Sequence, residues 1–141
     1  MTVHVKQIEG LAVAARGESA HWVPMDGPAK LGGTESGSRP MEVLLMSLGG
    51  CTAMDVISIL RKKRAPIDDF RVVVEAERAN DHPKVYTKIH VKYVVYGRGV
   101  KPQDVERAIE LSEGTYCSVT AMLRKTARVS SSYEIREPAS R

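Results

Sequence analysis

The stretch PMEVLLMSLGGCTAMDVISILRKKR, residues 40–64, decides how this chain folds. Pro40 suits the first turn of a helix, where its missing N–H is not needed. Apolar residues then recur nearly all round a helix as far as Leu60, and the four cations at 61–64 suit its negative dipole end. Because a helix that is apolar on every side has to be covered on every side, we expect a buried core helix. A chain of 141 residues has little material to surround it, so we also expect a partner subunit.

Residues 41–60 also have the length of a membrane crossing, which takes about 20 residues. They include Glu42 and Asp55, whose charges are costly at membrane depth, so we interpret them as a helix of a protein core and expect no membrane partner. The N-terminal sequence lacks the apolar centre of a signal peptide. Two cysteines are too few for a disulfide-stapled secreted scaffold. We therefore expect a cytoplasmic protein.

Elements with clear periodicity flank this helix. The run KVYTKIHVKYVVYG alternates with a period of two, which predicts a half-buried strand paired with the preceding apolar run in an antiparallel hairpin. The predicted elements outside the helix are short strands within 1–26, hairpin strands at 70–79 and 84–97, helices at 102–114 and 118–126, and a last strand at 127–136. Residues 26–40, rich in Gly and Ser, predict a flexible loop. The order predicts an α+β fold, in a single domain over residues 1–141.

The charge of the chain suggests no particular polyanion as partner. The formal net charge is +4, and the one strongly basic run is RKKR at 61–64. Its simplest role is to end the helix, and the alternative is a redox-sensing or nucleic-acid-associated protein. Because no recognition motif accompanies the run, we expect no specific nucleic-acid partner.

The two cysteines occupy different settings. Cys51 follows Gly49 and Gly50 inside the apolar helix, where two glycines cost about 2 kcal/mol relative to alanines. The two glycines would be explained by a small ligand that approaches the backbone, or by close packing of another segment that has no catalytic role. Cys117 precedes a short helix whose unpaired N–H groups favour a thiolate. Alternatively, Cys117 is a small apolar side chain that only fills space in the core. If the sulfurs meet, a peroxide can oxidise one to a sulfenic acid that condenses with the other into a disulfide.

Other kinds of site lack their sequence patterns. The four histidines do not fall at metal-ligand spacings, and GGTESG does not match a phosphate-binding loop. No local signature of Ser-His-Asp catalysis is present. We therefore expect neither a metal nor a cofactor.

The segments RPMEVLLMSLGGCTAMDVISILRKK (39–63), LSEGTYCSVTAML (111–123) and SSYEI (131–135) together resemble the OsmC/Ohr family of thiol-dependent peroxide reductases. The resemblance covers nearly the whole chain, and its most specific part is the pair of cysteines, one after GG within an apolar helix and one before a short helix. It implies an OsmC-like fold, in which antiparallel sheets pack on a long buried Cys-bearing helix in an intertwined homodimer.

The same resemblance implies an enzyme of oxidative-stress defence. Cys51 matches the peroxidatic thiol and Cys117 the resolving thiol, with an organic hydroperoxide as substrate, a dithiol as reductant and no metal. The alternative is an OsmC-like protein that binds a small molecule or lipid and has non-catalytic cysteines.

The chain departs from the family pattern near the expected activating pair. Well-studied members place a Glu ten residues before the first cysteine, paired with an N-terminal Arg, but here that position is Met41 and the carboxylate is Glu42. In a straight helix Glu42 and Cys51 lie about 180° and about 13 Å apart, so Glu42 could act only through a bend or from the partner. Arg16 and, less closely, Arg39 are the candidates for the activating Arg, and a surface role is the alternative for Arg16.

Asp55 lies four residues after Cys51 and shares its face of the helix. A carboxylate alone would disfavour the thiolate. We expect either an arginine that bridges Asp55 and the sulfur in a reactive site, or a role for Asp55 in a buried pair or an interface.

Overall fold

The computed structural model describes residues 1–138. The chain forms two compact units, Met1–Leu45 and Met46–Arg141, and a long helix begins in the first and continues into the second. The predicted single domain over 1–141 stays a prediction, and its last three residues lie outside the described part.

The first unit contains a three-stranded antiparallel sheet. Its strands are β1 (His4–Glu9), β2 (Ala12–Arg16) and β3 (Val23–Met25), in the order β1-β2-β3. Gly10 has φ 55° in the turn between the first two strands, a conformation that glycine adopts without steric cost. The predicted short strands of this region are thus confirmed.

A carboxylate organises the loop that follows. Asp26 is buried and accepts hydrogen bonds from the hydroxyls and backbone N–H groups of Thr34 and Ser36 and from the N–H of Gly27. The hydrogen bond from the Thr34 side chain, with those from the three N–H groups, holds the pKa of Asp26 well below its ordinary value. The loop predicted to be flexible therefore folds around a satisfied anion.

Helix α1 (Pro40–Lys62) begins as the sequence predicts. Pro40 is its first residue, and the carboxylate of Glu42 reaches back to accept the N–H of Arg39 at 3.0 Å. This is the Glu half of a capping box, which satisfies a backbone donor at the helix start.

The second unit contains a mixed three-stranded sheet. Strands β4 (Asp69–Arg78) and β5 (Tyr86–Tyr96) form the predicted antiparallel hairpin, and β6 (Arg128–Arg136) pairs with β5 in parallel. The expectation of wholly antiparallel sheets is therefore wrong for this strand. Two helices lie between β5 and β6, and a connection of that length allows the chain to return in the parallel direction.

The connection from β5 to β6 contains α2 (Pro102–Leu111) and α3 (Ser118–Leu123). One π-helical turn, Ser112–Tyr116, joins them, so the predicted glycine stop at Gly114 falls inside this turn. The turn places Ser112, and Cys117 directly after it, close to α1.

Helix α1 is covered along one stripe of its surface. The buried residues of this stripe are Leu48, Gly49, Thr52, Val56 and Leu60. Met46 and Met54, on a different face, are 57% and 69% exposed. The described part of the chain therefore leaves the face of Met46 and Met54 uncovered. By length and apolar composition alone α1 could cross a membrane, a test that many core helices of soluble proteins also pass.

Candidate active site

Two sulfurs and a carboxylate meet in the second unit. The Sγ atoms of Cys51 and Cys117 and a carboxylate oxygen of Asp55 all lie within 4.8 Å of one another. Cys51 and Asp55 occupy successive turns of α1, and Cys117 ends the π-helical turn. The two cysteines are thus far apart in the sequence but close together in space.

Cys117 is the N-cap of α3. Its Sγ accepts the N–H of Thr120 at 3.4 Å, and its own N–H donates to the carbonyl of Ser112 at 2.8 Å. The side chain is 2% exposed. These bonds hold the sulfur in the place that a serine or threonine hydroxyl takes at many helix starts.

Cys51 is half-buried, and its surroundings favour the neutral thiol. Burial raises the pKa of Cys51, as do its contact with the Cys117 side chain and the charge of Asp55, while the N–H of Val119 partly opposes them. Desolvation and a nearby anion thus both favour the neutral thiol of Cys51, the direction expected from the sequence for Asp55 without a bridging arginine. A reaction at this sulfur has to remove its proton.

Asp55 is held by a hydroxyl. The Oγ of Ser112 donates to its Oδ2 at 3.0 Å. Within residues 1–138 the structure shows no arginine bridging Asp55 and a sulfur, and the partner that it shows for the carboxylate is Ser112.

A chain of buried hydroxyls leads away from Asp55. The Oγ of Ser112 lies 2.8 Å from the Oγ1 of Thr52, which lies 2.6 Å from the hydroxyl of Tyr93. All three side chains are buried, and the lack of solvent raises the pKa of Tyr93 above its ordinary value. These groups satisfy one another in the core of the unit, as buried polar groups require.

The hydroxyl chain ends at a second carboxylate. The hydroxyl of Tyr93 lies 3.4 Å from Oε1 of Glu113. Arg124 donates to the backbone carbonyl and to Oε2 of Glu113, each at 2.9 Å. The Glu113 side chain is 15% exposed, so this end of the chain reaches solvent.

An open cleft of about 390 Å³ lies beside Asp55. Its lining residues are Asp55, Ser58, Ile59, Lys62, Leu111 and Tyr116. Aliphatic and aromatic walls with one cation and one anion suit a small ligand that has an apolar body and a polar end.

The other three predicted site residues lie in the first unit, and their partners are found there. The guanidinium of Arg16 stacks on Trp22 at 5.0 Å from the ring centroid. Arg39 forms ion pairs with Glu35 and Glu42 at 3.3 and 3.2 Å. The backbone N–H of Arg39, together with its guanidinium, lowers the pKa of Glu42. The structure shows a capping role for Glu42 and an aromatic contact for Arg16.

The two glycines before Cys51 have different surroundings. A Cβ at Gly49 would lie 3.3 Å from Cγ2 of Val74, so close packing against β4 accounts for this glycine. A Cβ at Gly50 would meet nothing within 4 Å. The intrachain packing that explains Gly49 therefore does not explain Gly50.

The three clustered residues also form a possible metal-ligand set. Two thiols and a carboxylate within 4.8 Å could bind a thiophilic divalent ion such as Zn²⁺. Sequence spacing missed this set because its members come from two distant segments.

The sequence of residues 33–132 matches the family model described as OsmC-like protein. This chain belongs to the OsmC-like family. It is 39% identical to Protein YhfA of Escherichia coli strain K12 over 135 residues, which cover 96% of this chain and 98% of that protein. The family predicted from the sequence is thus confirmed.

Solved structures show the OsmC-like fold as well. A hypothetical protein from Aquifex aeolicus VF5 matches with a TM-score of 0.85 and 31% identity, covering 98% of this chain and 97% of that one. The organic hydroperoxide resistance protein OhrB of Bacillus subtilis matches with a TM-score of 0.61 and 14% identity, covering 95% and 98%. The predicted α+β, OsmC-like fold class is confirmed.

Sequence reasoning missed the hydroxyl chain of this OsmC-like protein. Thr52 was the available signal, because it lies beside Cys51 on the buried face of an apolar helix and a polar group there needs a partner. The identity of that partner could not be read, since Tyr93 and Ser112 lie 41 and 60 positions away.

Proposed function

We propose that this protein is a thiol-dependent hydroperoxide reductase that uses Cys51 as the peroxidatic thiol and Cys117 as the resolving thiol. The observation that carries the proposal is the approach of the two sulfurs to within 4.8 Å of each other. A disulfide needs Sγ atoms about 2.05 Å apart, so a rotation of the side chains and a small shift of the turn before Cys117 would close the bond.

Exposure supports this order of events. Cys51 is half-buried, whereas Cys117 is 2% exposed and accepts a backbone hydrogen bond. A substrate therefore has more direct access to Cys51 than to Cys117. The apolar part of the cleft lining favours an organic hydroperoxide over hydrogen peroxide.

The proposed turnover is balanced. The Cys51 sulfur attacks the outer oxygen of ROOH, so an S–O bond forms, the O–O bond breaks, and the thiol proton leaves with the alkoxide as ROH. The sulfenic acid then condenses with the Cys117 thiol, forming the S–S bond and releasing water. A dithiol reductant returns two electrons and two protons to restore both thiols.

We further propose that the protein acts as a cytoplasmic homodimer. Met46, Gly50 and Met54 follow one another at intervals of four on an uncovered stripe of α1. The first unit also exposes large apolar side chains, namely Val3, Val5, Ile8, Leu11, Trp22 and Val23. Apolar surface of this extent is typical of an interface, and a second copy of the chain would cover it.

Intact mass and thiol alkylation test the catalytic proposal. Reduced protein treated with cumene hydroperoxide should lose two hydrogens in mass and resist alkylation. Cys117→Ser should accumulate a sulfenic acid at Cys51 that a dimedone probe traps, whereas Cys51→Ser should not react. If both thiols of the wild-type protein stay free in excess peroxide, the enzyme proposal is wrong, and an OsmC-like binding protein with non-catalytic cysteines takes its place.

A further inference from the structure

We propose that Cys51, Asp55 and Cys117 bind one Zn²⁺ ion when both thiols are reduced, and that the fourth position of the ion is open toward the cleft beside Asp55. The site does not rest on the proposed peroxide reduction, because it needs the three side chains and not their oxidation. It adds a second function to the same sulfurs. The two functions exclude each other at any one moment, since a disulfide between the cysteines leaves no thiolate for the ion.

The spacing of the three ligand atoms is the first argument. Zn²⁺ in proteins is bound in a tetrahedron, at about 2.3 Å from a cysteine sulfur and about 2.0–2.2 Å from a carboxylate oxygen, so neighbouring ligand atoms lie about 3.6–3.8 Å apart. The two Sγ atoms and a carboxylate oxygen of Asp55 lie within 4.8 Å of one another. Each pair therefore has at most about 1.2 Å to close, which two side chains share.

The chemistry of the ligands selects the ion. Thiolates are soft ligands that favour Zn²⁺, whereas Mg²⁺ and Ca²⁺ take oxygen ligands. Each thiol gives up its proton to solvent as it binds, because a coordinating thiol is deprotonated by the charge of the metal. Two thiolates and a carboxylate exceed the charge of the ion by one, and Lys62, which lines the same cleft as Asp55, places a cation near this excess.

Backbone N–H groups of α3 support both sulfurs. The N–H of Thr120 donates to Sγ of Cys117 at 3.4 Å, and the N–H of Val119 makes a hydrogen bond with the Cys51 side chain. Both donors lie in the first turn of a helix. Hydrogen bonds of this kind favour the charged form of a ligand and hold it in position for a metal.

The carboxylate is also oriented from behind. The Oγ of Ser112 donates to Oδ2 of Asp55 at 3.0 Å, and Ser112 is itself 2.8 Å from the Oγ1 of Thr52. Ligands of metal ions commonly make such hydrogen bonds, which fix their direction. The buried hydroxyls thus hold a carboxylate that can present an oxygen to the ion.

The cleft provides an entry path. Cys51 is half-buried, and Asp55 lines the open cleft of about 390 Å³. Cys117 is 2% exposed and lies behind them. Three protein ligands with one open position are typical of zinc ions that also bind a water molecule or a small ligand. The fourth ligand therefore enters from the cleft.

Metal titration tests the site directly. Reduced protein without a polyhistidine tag is titrated anaerobically with Zn²⁺ in competition with a chromophoric chelator, and with Co²⁺ as a spectroscopic substitute. We expect one ion per chain. Bound Co²⁺ should show sulfur-to-metal charge-transfer absorption and the strong visible bands of a tetrahedral site.

Single substitutions assign the ligands. Cys51→Ser and Cys117→Ser should each lower the affinity for Zn²⁺ by more than about 100-fold, which exceeds the usual effect of losing a hydrogen-bond partner of a ligand. Asp55→Asn should lower it by at least about 10-fold. Asp104→Asn is the matched control, because this carboxylate pairs with Lys63 at 2.9 Å and lies outside the set. It should bind Zn²⁺ as the wild type does.

Folding does not obscure this comparison, because serine is itself a preferred N-cap and Cys117→Ser keeps the start of α3. Binding of less than one ion per chain, a Co²⁺ spectrum without sulfur charge transfer, or unchanged affinity in Cys51→Ser would each overturn the site. An ion held by surface histidines alone would give the last two results. Peroxide consumption is measured separately on metal-free protein, so its absence would refute the proposed function while the titration still decides the metal site.

Discussion

The Oγ1 of Thr52 lies 2.6 Å from the hydroxyl of Tyr93, which ties the centre of α1 to the middle strand of the second sheet. Both side chains are fully buried. The contact anchors the turn of α1 that carries Cys51 against a rigid strand. It thus fixes the position of the Cys51 thiol relative to Cys117. The same two oxygens also belong to the chain of hydroxyls that ends at Asp55.

Thr52→Val should destabilise the protein, because it leaves the hydroxyls of Tyr93 and Ser112 without their buried partner. We expect the free energy of unfolding to fall by about 1–3 kcal/mol, the cost of leaving a buried polar group unsatisfied. Urea unfolding followed by far-UV circular dichroism measures this change. Thr52→Ser, which keeps the oxygen and loses the methyl group, should lose less, and a loss as large as that of Thr52→Val would mean that the hydroxyl does not dominate the effect.

Asp55→Asn should make the Cys51 thiol more reactive near neutral pH. The charge of Asp55 contributes to the raised pKa of Cys51, so its removal should lower that pKa and make alkylation by iodoacetamide faster. The measurement is the alkylation rate of Cys51 as a function of pH in the two proteins. Identical pH profiles would mean that the charge of Asp55 does not act on this sulfur.

The raised pKa of Cys51 also predicts how stability depends on pH. The folded state holds the thiol proton more tightly than the unfolded chain does, so this contribution to stability is complete below the ordinary thiol pKa and is lost as the pH rises through the raised pKa of the folded state. Wild-type stability should therefore fall more steeply above about pH 8.5, the ordinary thiol pKa, than that of Cys51→Ala. Parallel thermal unfolding curves for the two proteins over this range would contradict the assignment.

The fold of this chain could be predicted from its sequence where the pattern is local. The start of α1 at Pro40 could be predicted because the proline of the first turn and the apolar run lie in one segment. The hairpin could be predicted from an alternation of apolar and polar residues with a period of two. The parallel pairing of β6 was missed, because strand direction depends on a connection through two helices. The candidate site likewise has a part that local patterns predict and a part that depends on contacts between distant segments.

Both cysteines could be predicted as candidates, but their surroundings could not. Asp55 was visible as a neighbour of Cys51 on one helix face, whereas its partner Ser112 comes from a turn 57 positions away. The π-helical turn that delivers Ser112 and Cys117 has no clear sequence signal, since the amphipathic pattern of α2 runs into it without a break. The raised pKa of Cys51 follows from this packing, and of its causes only the charge of Asp55 was visible in the sequence.

Asp26→Asn should loosen the loop of the first unit at neutral pH. The buried carboxylate accepts five hydrogen bonds, and an amide nitrogen cannot accept those made to the oxygen that it replaces. Since these bonds lower the pKa of Asp26, their contribution is complete above the ordinary carboxyl pKa of about 4 and is lost as the pH falls through the depressed value. Limited proteolysis near Thr34 should be faster in the variant at pH 7, and the difference should narrow under strong acid.

Met54→Lys should break the proposed homodimer. Met54 is 69% exposed in the single chain, so a lysine there can remain solvated in a monomer, but a partner packed on the stripe of Met46, Gly50 and Met54 would have to bury the charge. We expect the dimer to dissociate at least about tenfold more readily, measured by sedimentation velocity over a range of concentrations. Leu31→Lys is the control, because Leu31 is also 69% exposed and lies outside α1. If the wild-type chain sediments as a monomer at high concentration, or Met54→Lys associates as the wild type does, this stripe of α1 does not form the interface.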